Sequence, residues 1–164
     1  MQVTIREAVA SDFESLCILF DEGDARHREM LHWIFRKPPG AAREKKYVQD
    51  LIADEATGFF VAQAGDRLVG LIAVAIRQAP ELPIFVPRRY AVVDTLVVKR
   101  EFQRTGIGRA LMEQAHAWAD AEGAESIELN VWAFNQEAVA FYKTLGYGTV
   151  SYKMSKRLSP GLKP

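Results

Sequence analysis

The most informative stretch of this chain is "VVKREFQRTGIGRALM", residues 97–112. A run of β-branched residues gives way to charged residues, and Gly106 and Gly108 follow before a helical pattern begins. A helix N-terminus presents unpaired N–H groups and the positive end of the helix dipole, so it can hold a phosphate that the backbone approaches closely. Glycine permits that approach. We therefore expect this unit to bind a phosphorylated cofactor.

Spacing separates three phosphate-binding motifs that compete for this stretch. A Walker A loop, G-x-x-x-x-G-K-[ST], is absent. A dinucleotide fingerprint needs a third Gly or Ala where this chain has Leu111. The third motif, Q/R-x-x-G-x-G/A, is met by Gln103, Gly106 and Gly108. Cationic side chains suited to phosphate oxygens surround it: Lys99, Arg100, Arg104 and Arg109.

Strand and helix patterns alternate on both sides of this unit. Helices are predicted over 10–20, 24–34, 41–53, 107–122 and 135–146. Strands are predicted over 3–8, 90–98, 125–132 and 147–157, and two more within 58–78, joined as a hairpin near Gly65-Asp66. The proline-rich stretch 79–89 is predicted to be irregular. This order fits a mixed sheet with helices on both faces, in which helix 107–122 joins two parallel strands.

The composition limits the size and the surroundings of the protein. With 164 residues, 49% of them apolar, we expect one domain over residues 1–158 and a flexible tail over 159–164. Lys plus Arg balances Asp plus Glu at 21 each, so we expect neither nucleic acid nor membrane as a partner. The single cysteine, Cys17, and the lack of a signal-peptide pattern favour the cytoplasm.

A second block of sequence completes a family resemblance. Residues 129–147, "LNVWAFNQEAVAFYKTLGY", contain the pattern N-x-x-A-x-x-x-Y-x-x-x-G-[FY]. Together with the motif above, preceded by "DTLVV" and followed by "RALM", this resembles the GCN5-related N-acetyltransferase (GNAT) superfamily. The resemblance implies an α/β (α+β) acyl-CoA N-acyltransferase fold, which is a single mixed, mostly antiparallel sheet with a splayed pair of parallel strands. It also implies acetyl-CoA as the cosubstrate.

The same resemblance implies which residues bind coenzyme A. The pyrophosphate is expected on backbone N–H groups of the motif loop, at Arg104, Thr105, Gly106, Ile107, Gly108 and Arg109, which follow Gln103. The pantetheine arm is expected to lie like an added strand along Leu96, Val97 and Val98. Asn135 is expected either to contact this arm or only to cap a helix.

Direct transfer from a thioester to an amine requires an oxyanion donor and an acid. In similar proteins the thioester enters the gap between two splayed strands, here 90–98 and 125–132. A backbone N–H near Val97 or Val98 would then polarise its carbonyl. Tyr142 occupies the tyrosine position of the second block and is expected to protonate the leaving thiolate, although it can also be a packing residue.

The amine must also lose a proton, and the sequence offers several candidates for the base. Asp94 lies in the apolar run "AVVDTLVV", where similar enzymes often carry Glu or Asp, and a carboxylate there is costly to bury. Alternatively, Asp94 forms a structural hydrogen bond and is not the base. Some relatives place a base at a position matched here by Asn130, so Glu128 and ordered water remain alternatives. Strict alternation puts Asp94 on the same face as Leu96 and Val98.

The predicted function is acetyl-CoA-dependent N-acetylation of a small-molecule or peptide amine. The acceptor is expected between residues 20–36 and 78–90, whose charges have conflicting signs. A non-catalytic acyl-CoA-binding regulatory module is the alternative, and a nicotinamide or nucleoside triphosphate site is a more distant one. His27 and His32 lack the spacing of a zinc pair, so no metal is predicted. Similar proteins are often dimers, and the last strand has the exposed-edge character that allows pairing in a homodimer.

Overall fold

The computed structural model describes residues 2–156 and 158 of the chain. Two short 3-10 turns, Ala10–Asp12 and Arg100–Phe102, accompany five strands and four α-helices. The strands are β1 (Val3–Glu7), β2 (Thr57–Ala64), β3 (Arg67–Gln78), β4 (Arg89–Val98) and β5 (Ser126–Leu129). The helices are α1 (Phe13–Met30), α2 (Lys45–Ala53), α3 (Ile107–Ala121) and α4 (Gln136–Thr144).

The five strands form one sheet in the order β1-β2-β3-β4-β5. All neighbours are antiparallel except β4 and β5, which are parallel and are connected through α3. Their pairing covers only residues 90–93 against 126–129, so β4 continues for five residues without a partner on that side among residues 2–156 and 158. The predicted mixed sheet with a splayed parallel pair is thus confirmed.

Each face of the sheet carries its own apolar layer. One layer joins α3 and α4 to the sheet and includes the fully buried Leu111 and Met112. The other joins α1 and α2 to the opposite face and includes the fully buried Leu16 and Leu19. We call these the α3 face and the α1 face. Strand β3 lies between the two layers and is buried on both sides, which explains its almost continuous apolar sequence.

The predicted hairpin and the predicted irregular stretch are both present. Strands β2 and β3 are joined at Gly65, whose φ of +59° is the left-handed conformation that such a turn demands. Residues 79–88 form neither helix nor strand, as the three prolines there predicted.

Two predicted helices are one in the structure. Helix α1 runs without a break through Gly23, although glycine weakens helices. A β-carbon at this position would lie 2.6 Å from Val97 Cγ2 on β4, so the helix can approach the sheet only because the side chain is missing. The helix ends at Met30, four residues before the predicted end, and α2 begins at Lys45 rather than at residue 41.

The predicted last strand is absent: residues 147–156 contain no helix or strand. The flexible tail predicted over 159–164 lies outside the described residues, so this prediction and that of a single domain over 1–158 stay predictions. No helix in the described part of the chain is both long enough and apolar enough to cross a membrane.

Candidate functional site

The loop between β4 and α3 is held by contacts at both of its ends. Phe102 is buried in the α3 layer, and the Thr105 hydroxyl donates to the carbonyl of Phe102 at 2.6 Å. The Gln103 side chain donates through Nε2 to the carbonyl of Val98 at 3.0 Å, so this motif residue fastens the loop to the end of β4. On the other side, the Glu22 carboxylate of α1 accepts a hydrogen bond from the N–H of Arg100 at 2.6 Å.

Two residues of this loop have left-handed backbone conformations. Arg104 has a φ of +62° and Gly106 a φ of +91°, and a β-carbon added to Gly106 would meet no atom within 4 Å. Glycine is thus required at 106 by the conformation of the backbone. A β-carbon on Gly108 would lie 3.6 Å from Phe141 Cζ and 3.8 Å from Val98 Cγ2, which are ordinary contact distances, so the protein itself does not require glycine there.

The backbone N–H groups at this helix start have no acceptors in the part of the chain that the structure describes. The first intrahelical bond of α3 runs from the N–H of Ala110 to the carbonyl of Gly106, at 3.0 Å. The six preceding N–H groups, from Arg104 to Arg109, donate to no acceptor within the described residues. Successive N–H groups around a helix N-terminus bind anions, because unpaired donors and the helix dipole act together. The loop can therefore hold a phosphate or diphosphate group.

The cations around the loop are also available for a ligand. Eight arginines elsewhere in the described chain form ion pairs with carboxylates. By contrast, none of the predicted phosphate-binding cations forms an ion pair with any described residue: Lys99, Arg100, Arg104 and Arg109. Their charges are not neutralised by the fold, so they add to the attraction for an anion.

The unpaired edge of β4 presents Leu96 and Val98 to the gap. The N–H of Lys99 donates to Val69 on β3, and the carbonyl of Val97 lies against Gly70 on β3. Because successive residues of a strand direct their backbone groups to opposite edges, the N–H groups of Leu96 and Val98 point away from β3. The expected oxyanion donor near Val97 or Val98 thus has its better candidate in Val98, while the Val97 side chain is buried under α1.

A β-bulge at Asp94 overturns the expectation that its side chain shares a face with Leu96 and Val98. Val93 pairs with Val74 and Thr95 pairs with Ala73, so Asp94 is an extra residue on β4. The bulge shifts the alternation, and the α3 layer receives Ala91, Val93, Leu96 and Val98. The Asp94 carboxylate lies instead 3.5 Å from Nη2 of Arg77, whose neighbour Ile76 belongs to the α3 layer. Asp94 therefore opens onto the α1 face.

The two candidate bases have different surroundings. Partial burial raises the pKa of Asp94, and the nearby Arg77 charge opposes that rise. The Asp94 side chain keeps 44% of its surface exposed, so a substrate can reach it. Glu128 on β5 accepts a hydrogen bond from Arg88 Nη1 at 2.7 Å and lies where the two strands are still paired. Asn130 is exposed just beyond β5, and its side-chain amide cannot take up a proton as a carboxylate does.

Tyr142 lies on α4 and packs against the α3 layer, next to Phe141 and Tyr147. Burial raises the pKa of its hydroxyl, which forms no hydrogen bond with a described residue. The Tyr147 hydroxyl differs, because it lies 2.8 Å from Nε2 of His116. Burial, with a smaller contribution from Tyr142, raises the pKa of Tyr147 to about 12. Of the two hydroxyls, only that of Tyr142 is without a partner among the described residues.

Asn135 caps α4, which confirms one of the two roles predicted for it. Its Oδ1 accepts a hydrogen bond from the N–H of Ala138 at 3.3 Å. Contact with a cofactor arm stays a prediction.

The predicted acceptor region contains an aromatic cluster that the sequence did not reveal. The rings of Phe35, Trp132 and Phe134 lie 5.5–6.4 Å from the ring of His27, between centroids. Burial lowers the pKa of this histidine. "HWIF" and "VWAF" are the only local signals, and nothing in either stretch says that 27–35 and 132–134 meet.

Most charges of the acceptor region are compensated within the fold. Asp21 pairs with Arg28 at 3.0 Å, and Asp24 pairs with Arg43 at 2.7 Å. The mixture of acidic and basic residues in this region of the sequence is thus largely explained by ion pairs within the protein.

Comparison with known proteins assigns the family. A family model described as the acetyltransferase (GNAT) family matches residues 28–147. This chain belongs to the GNAT family. The match contains both the loop at the start of α3 and Tyr142, so the family resemblance of the two sequence blocks is confirmed.

Curated relatives agree with the GNAT assignment. The uncharacterized N-acetyltransferase MJ1207 of Methanocaldococcus jannaschii is 27% identical over 88% of this chain and 60% of its own length. An N-alpha-acetyltransferase of Sulfurisphaera tokodaii is 32% identical over 63% of this chain and 64% of its own length. The aligned parts thus span less than two thirds of these relatives.

Solved structures of similar fold agree as well. A mutant of the BH1408 protein from Bacillus halodurans is 26% identical, has a TM-score of 0.90, and aligns over 95% of this chain and 99% of that one. The aminoglycoside N-acetyltransferase AAC(6')-Iy, in complex with CoA, is 14% identical with a TM-score of 0.74, covers 95% of this chain and 94% of its own, and shares the fold.

Proposed function

We propose that this GNAT protein is an acetyl-CoA-dependent N-acetyltransferase that transfers an acetyl group directly to a primary amine. The observation that carries the proposal is the row of six N–H groups at the start of α3 that have no acceptor among the described residues, beside the part of β4 that has no described strand partner. The two features are the anion site and the strand edge that a diphosphate with an amide-containing arm requires.

Coenzyme A supplies the acetyl group as an activated thioester, and the residues of this chain bind and orient it. The N–H groups from Arg104 to Arg109 hold the diphosphate, and the unpaired cations around the loop neutralise its charge. Backbone groups of Leu96 and Val98 hold the arm as an added strand. The N–H of Val98 then stabilises the negative charge that develops on the acetyl oxygen.

Asp94 and Tyr142 handle the two protons of the reaction. The amine nitrogen bonds to the acetyl carbon while the carbon–sulfur bond breaks. Asp94 takes the amine proton, directly or through water, and its raised pKa makes it a stronger base than an ordinary aspartate. Tyr142 gives its hydroxyl proton to the leaving sulfur, a role supported by the absence of a partner among the described residues. Glu128 is less suited to the base role, because Arg88 already binds it.

The acceptor is a small-molecule or peptide amine that binds on the α1 face, where Asp94 opens. The name of the Sulfurisphaera tokodaii relative supports an α-amine. So does that of the [Ribosomal protein bS18]-alanine N-acetyltransferase of Escherichia coli, which is 32% identical over 38% of this chain and 43% of its own length. The unpaired Cys17 supports the cytoplasm as the place of action.

Release of free thiol from acetyl-CoA, measured over a panel of small amines and peptides with free N-termini, tests this function. We expect amine-dependent thiol release, with the acetylated amine detected by mass spectrometry. Calorimetric titration with CoA, NAD and ATP is the companion measurement, in which only CoA should bind. CoA binding without thiol release for any amine would contradict the catalytic proposal and favour an acyl-CoA-binding module.

A further inference from the structure

The C-terminal half of α1 bridges the gap between β4 and the chain that follows β5. At Gly23 the helix lies against β4, since an added β-carbon would be 2.6 Å from Val97 Cγ2. About one turn later, Arg26 pairs at 3.2 Å with Glu137 in the first turn of α4. The end of α1 therefore crosses the gap in which the thioester is proposed to lie. Its side chains can contact an acceptor that approaches this gap from the α1 face.

The aromatic cluster lies at the end of this bridge. The His27 ring of α1 contacts the rings of Phe35, Trp132 and Phe134, and those of Phe35 and Trp132 meet edge to face with 5.7 Å between their centroids. Because burial lowers the pKa of His27, its ring is uncharged at neutral pH. Trp132 keeps 37% of its surface exposed. The cluster thus presents an uncharged aromatic surface, part of which is open to a ligand.

Carboxylates around the gap are neutralised by arginines. Five such pairs are formed: Asp21 with Arg28, Asp24 with Arg43, Asp94 with Arg77, Glu128 with Arg88, and Glu137 with Arg26. An acceptor that carries several positive charges therefore gains little from these carboxylates. An acceptor with an apolar group gains more, because covering the aromatic cluster removes apolar surface from water.

We propose that the acceptor carries an aromatic or large aliphatic group next to its amine, and that this group lies on the aromatic cluster with the amine directed to Asp94. A peptide whose first residue is Phe or Leu has this chemistry, and so does a phenylalkylamine, whereas a polyamine does not. This inference rests on the proposed acetyl transfer. It adds the class of acceptor and makes Trp132 a residue that determines specificity.

A second exposed apolar surface supplies the control. The loop between β3 and β4 carries Phe85, which is 45% exposed, together with the exposed Leu82, Ile84 and Val86. This loop precedes Arg89, where β4 begins, so it adjoins the end of β4 that is paired with β5 and not the end beside the gap. We therefore expect no contact between this loop and the apolar group of the acceptor.

Thiol-release kinetics with matched acceptors tests the inference. The acceptors are short peptides that differ only in their first residue (Phe, Leu or Gly), and the small amines phenylethylamine, ethylamine and spermidine. We expect kcat/KM to be about tenfold or more higher for the Phe and Leu peptides than for the Gly peptide, or for phenylethylamine than for ethylamine, and the pair that shows the preference identifies the source of the amine. Trp132→Ala should abolish the preference and keep kcat/KM for the Gly peptide or ethylamine. Trp132→Phe and Phe85→Ala should both keep the preference.

Two kinetic results would overturn the inference. One is a natural protein that acetylates spermidine, or both the Gly peptide and ethylamine, as efficiently as the apolar acceptors. The other is a preference that is lost with Phe85→Ala and kept with Trp132→Ala, which would place the apolar group of the acceptor on the loop between β3 and β4.

A binding measurement separates failure of this inference from failure of the proposed function. With CoA present, phenylethylamine or the Phe peptide should shift the indole N–H resonance of Trp132, which is assigned by its loss in Trp132→Phe, and ethylamine and the Gly peptide should not. This shift without acetylation of any amine supports the acceptor class and contradicts only the proposed chemistry. No shift with either apolar acceptor overturns the inference, whether or not the protein acetylates amines.

Discussion

Asp94 owes its position to one extra residue in β4. Without the bulge, alternation would send its carboxylate into the apolar α3 layer, on the face of Leu96 and Val98. With the bulge, the carboxylate opens beside Arg77 on the opposite face. A β-bulge is a known way to re-aim one side chain within a regular sheet.

Asp94→Asn is expected to lower kcat about a hundredfold or more, because the amide cannot accept the proton of the amine. In the natural protein kcat should fall on the acid side as Asp94 becomes protonated, at a pH above 3.8, the ordinary value for the group, because burial raises its pKa. Arg77→Gln removes the charge that opposes this rise, so the acid limb should move to higher pH. The measurement is kcat against pH with both substrates saturating.

Glu128→Gln is the matched control for Asp94→Asn, since it removes a carboxylate that already pairs with Arg88. We expect kcat to be largely kept. The reverse result, activity lost with Glu128→Gln and kept with Asp94→Asn, assigns the base to β5 and contradicts the present proposal.

Substitutions of the neighbouring Tyr142 and Tyr147 should distinguish a catalytic hydroxyl from a structural one. Tyr142→Phe keeps the ring against the α3 layer and removes a hydroxyl without a partner among the described residues, so kcat should fall while stability changes little. Tyr147→Phe breaks the bond to His116 and should cost about 1 kcal/mol of unfolding free energy, with kcat nearly unchanged. Thiol-release kinetics and urea unfolding of both variants check this; a Tyr142→Phe enzyme with full activity would assign Tyr142 to packing alone.

Among the elements, the loop at the start of α3 shows how local sequence sets a site. Gln103 and Gly106 act within a few residues of their own positions, so the motif spacing was enough to predict the loop and the helix start. The cap at Asn135 was predicted for the same reason. These features depend on short-range hydrogen bonds and on φ, both of which the local sequence specifies.

Features that depend on distant contacts were not predicted. The bulge at Asp94 is a feature of the pairing between β4 and β3, and the break expected near Gly23 is missing because α1 packs on Val97. The aromatic cluster joins 27–35 to 132–134, two stretches that lie far apart along the chain. The predicted last strand is wrong for the same reason: residues 147–156 alternate like a strand but pair with no strand of the described chain, which no local rule can indicate.

Gly106→Ala should weaken CoA binding, because an L-residue is strained at a φ of +91° and the N–H groups of the loop would shift. The left-handed conformation should also cost about 1–2 kcal/mol of stability. Gly65→Ala is the matched control: it too has a positive φ and open space around a β-carbon, but lies in the β2–β3 hairpin. Calorimetry and urea unfolding should show lost stability in both and lost affinity only in Gly106→Ala. Equal CoA affinity in the two variants would contradict the role of the loop.

For the molecule as a whole, a formal net charge of zero leaves anion binding to local charges. Arg104→Gln with Arg109→Gln should therefore weaken CoA binding and reduce its salt dependence, since both side chains lack ion pairs in the described chain. Lys45→Gln with Lys46→Gln on α2 makes the same change in net charge and should leave both properties unchanged. Calorimetric titrations with CoA at several salt concentrations measure both properties. If the two double variants weakened CoA binding equally, long-range attraction rather than direct contact would explain the effect of the arginines.

A backbone-amide NMR titration with CoA examines the row of donors from Arg104 to Arg109 itself. If these groups hold the diphosphate, CoA should shift their proton resonances further than those of the rest of the sheet and helices. Pantetheine, which lacks the phosphates, should leave these resonances unshifted. If CoA binds while these six resonances stay still and another set of amides moves, the diphosphate lies elsewhere and the proposed mechanism is wrong.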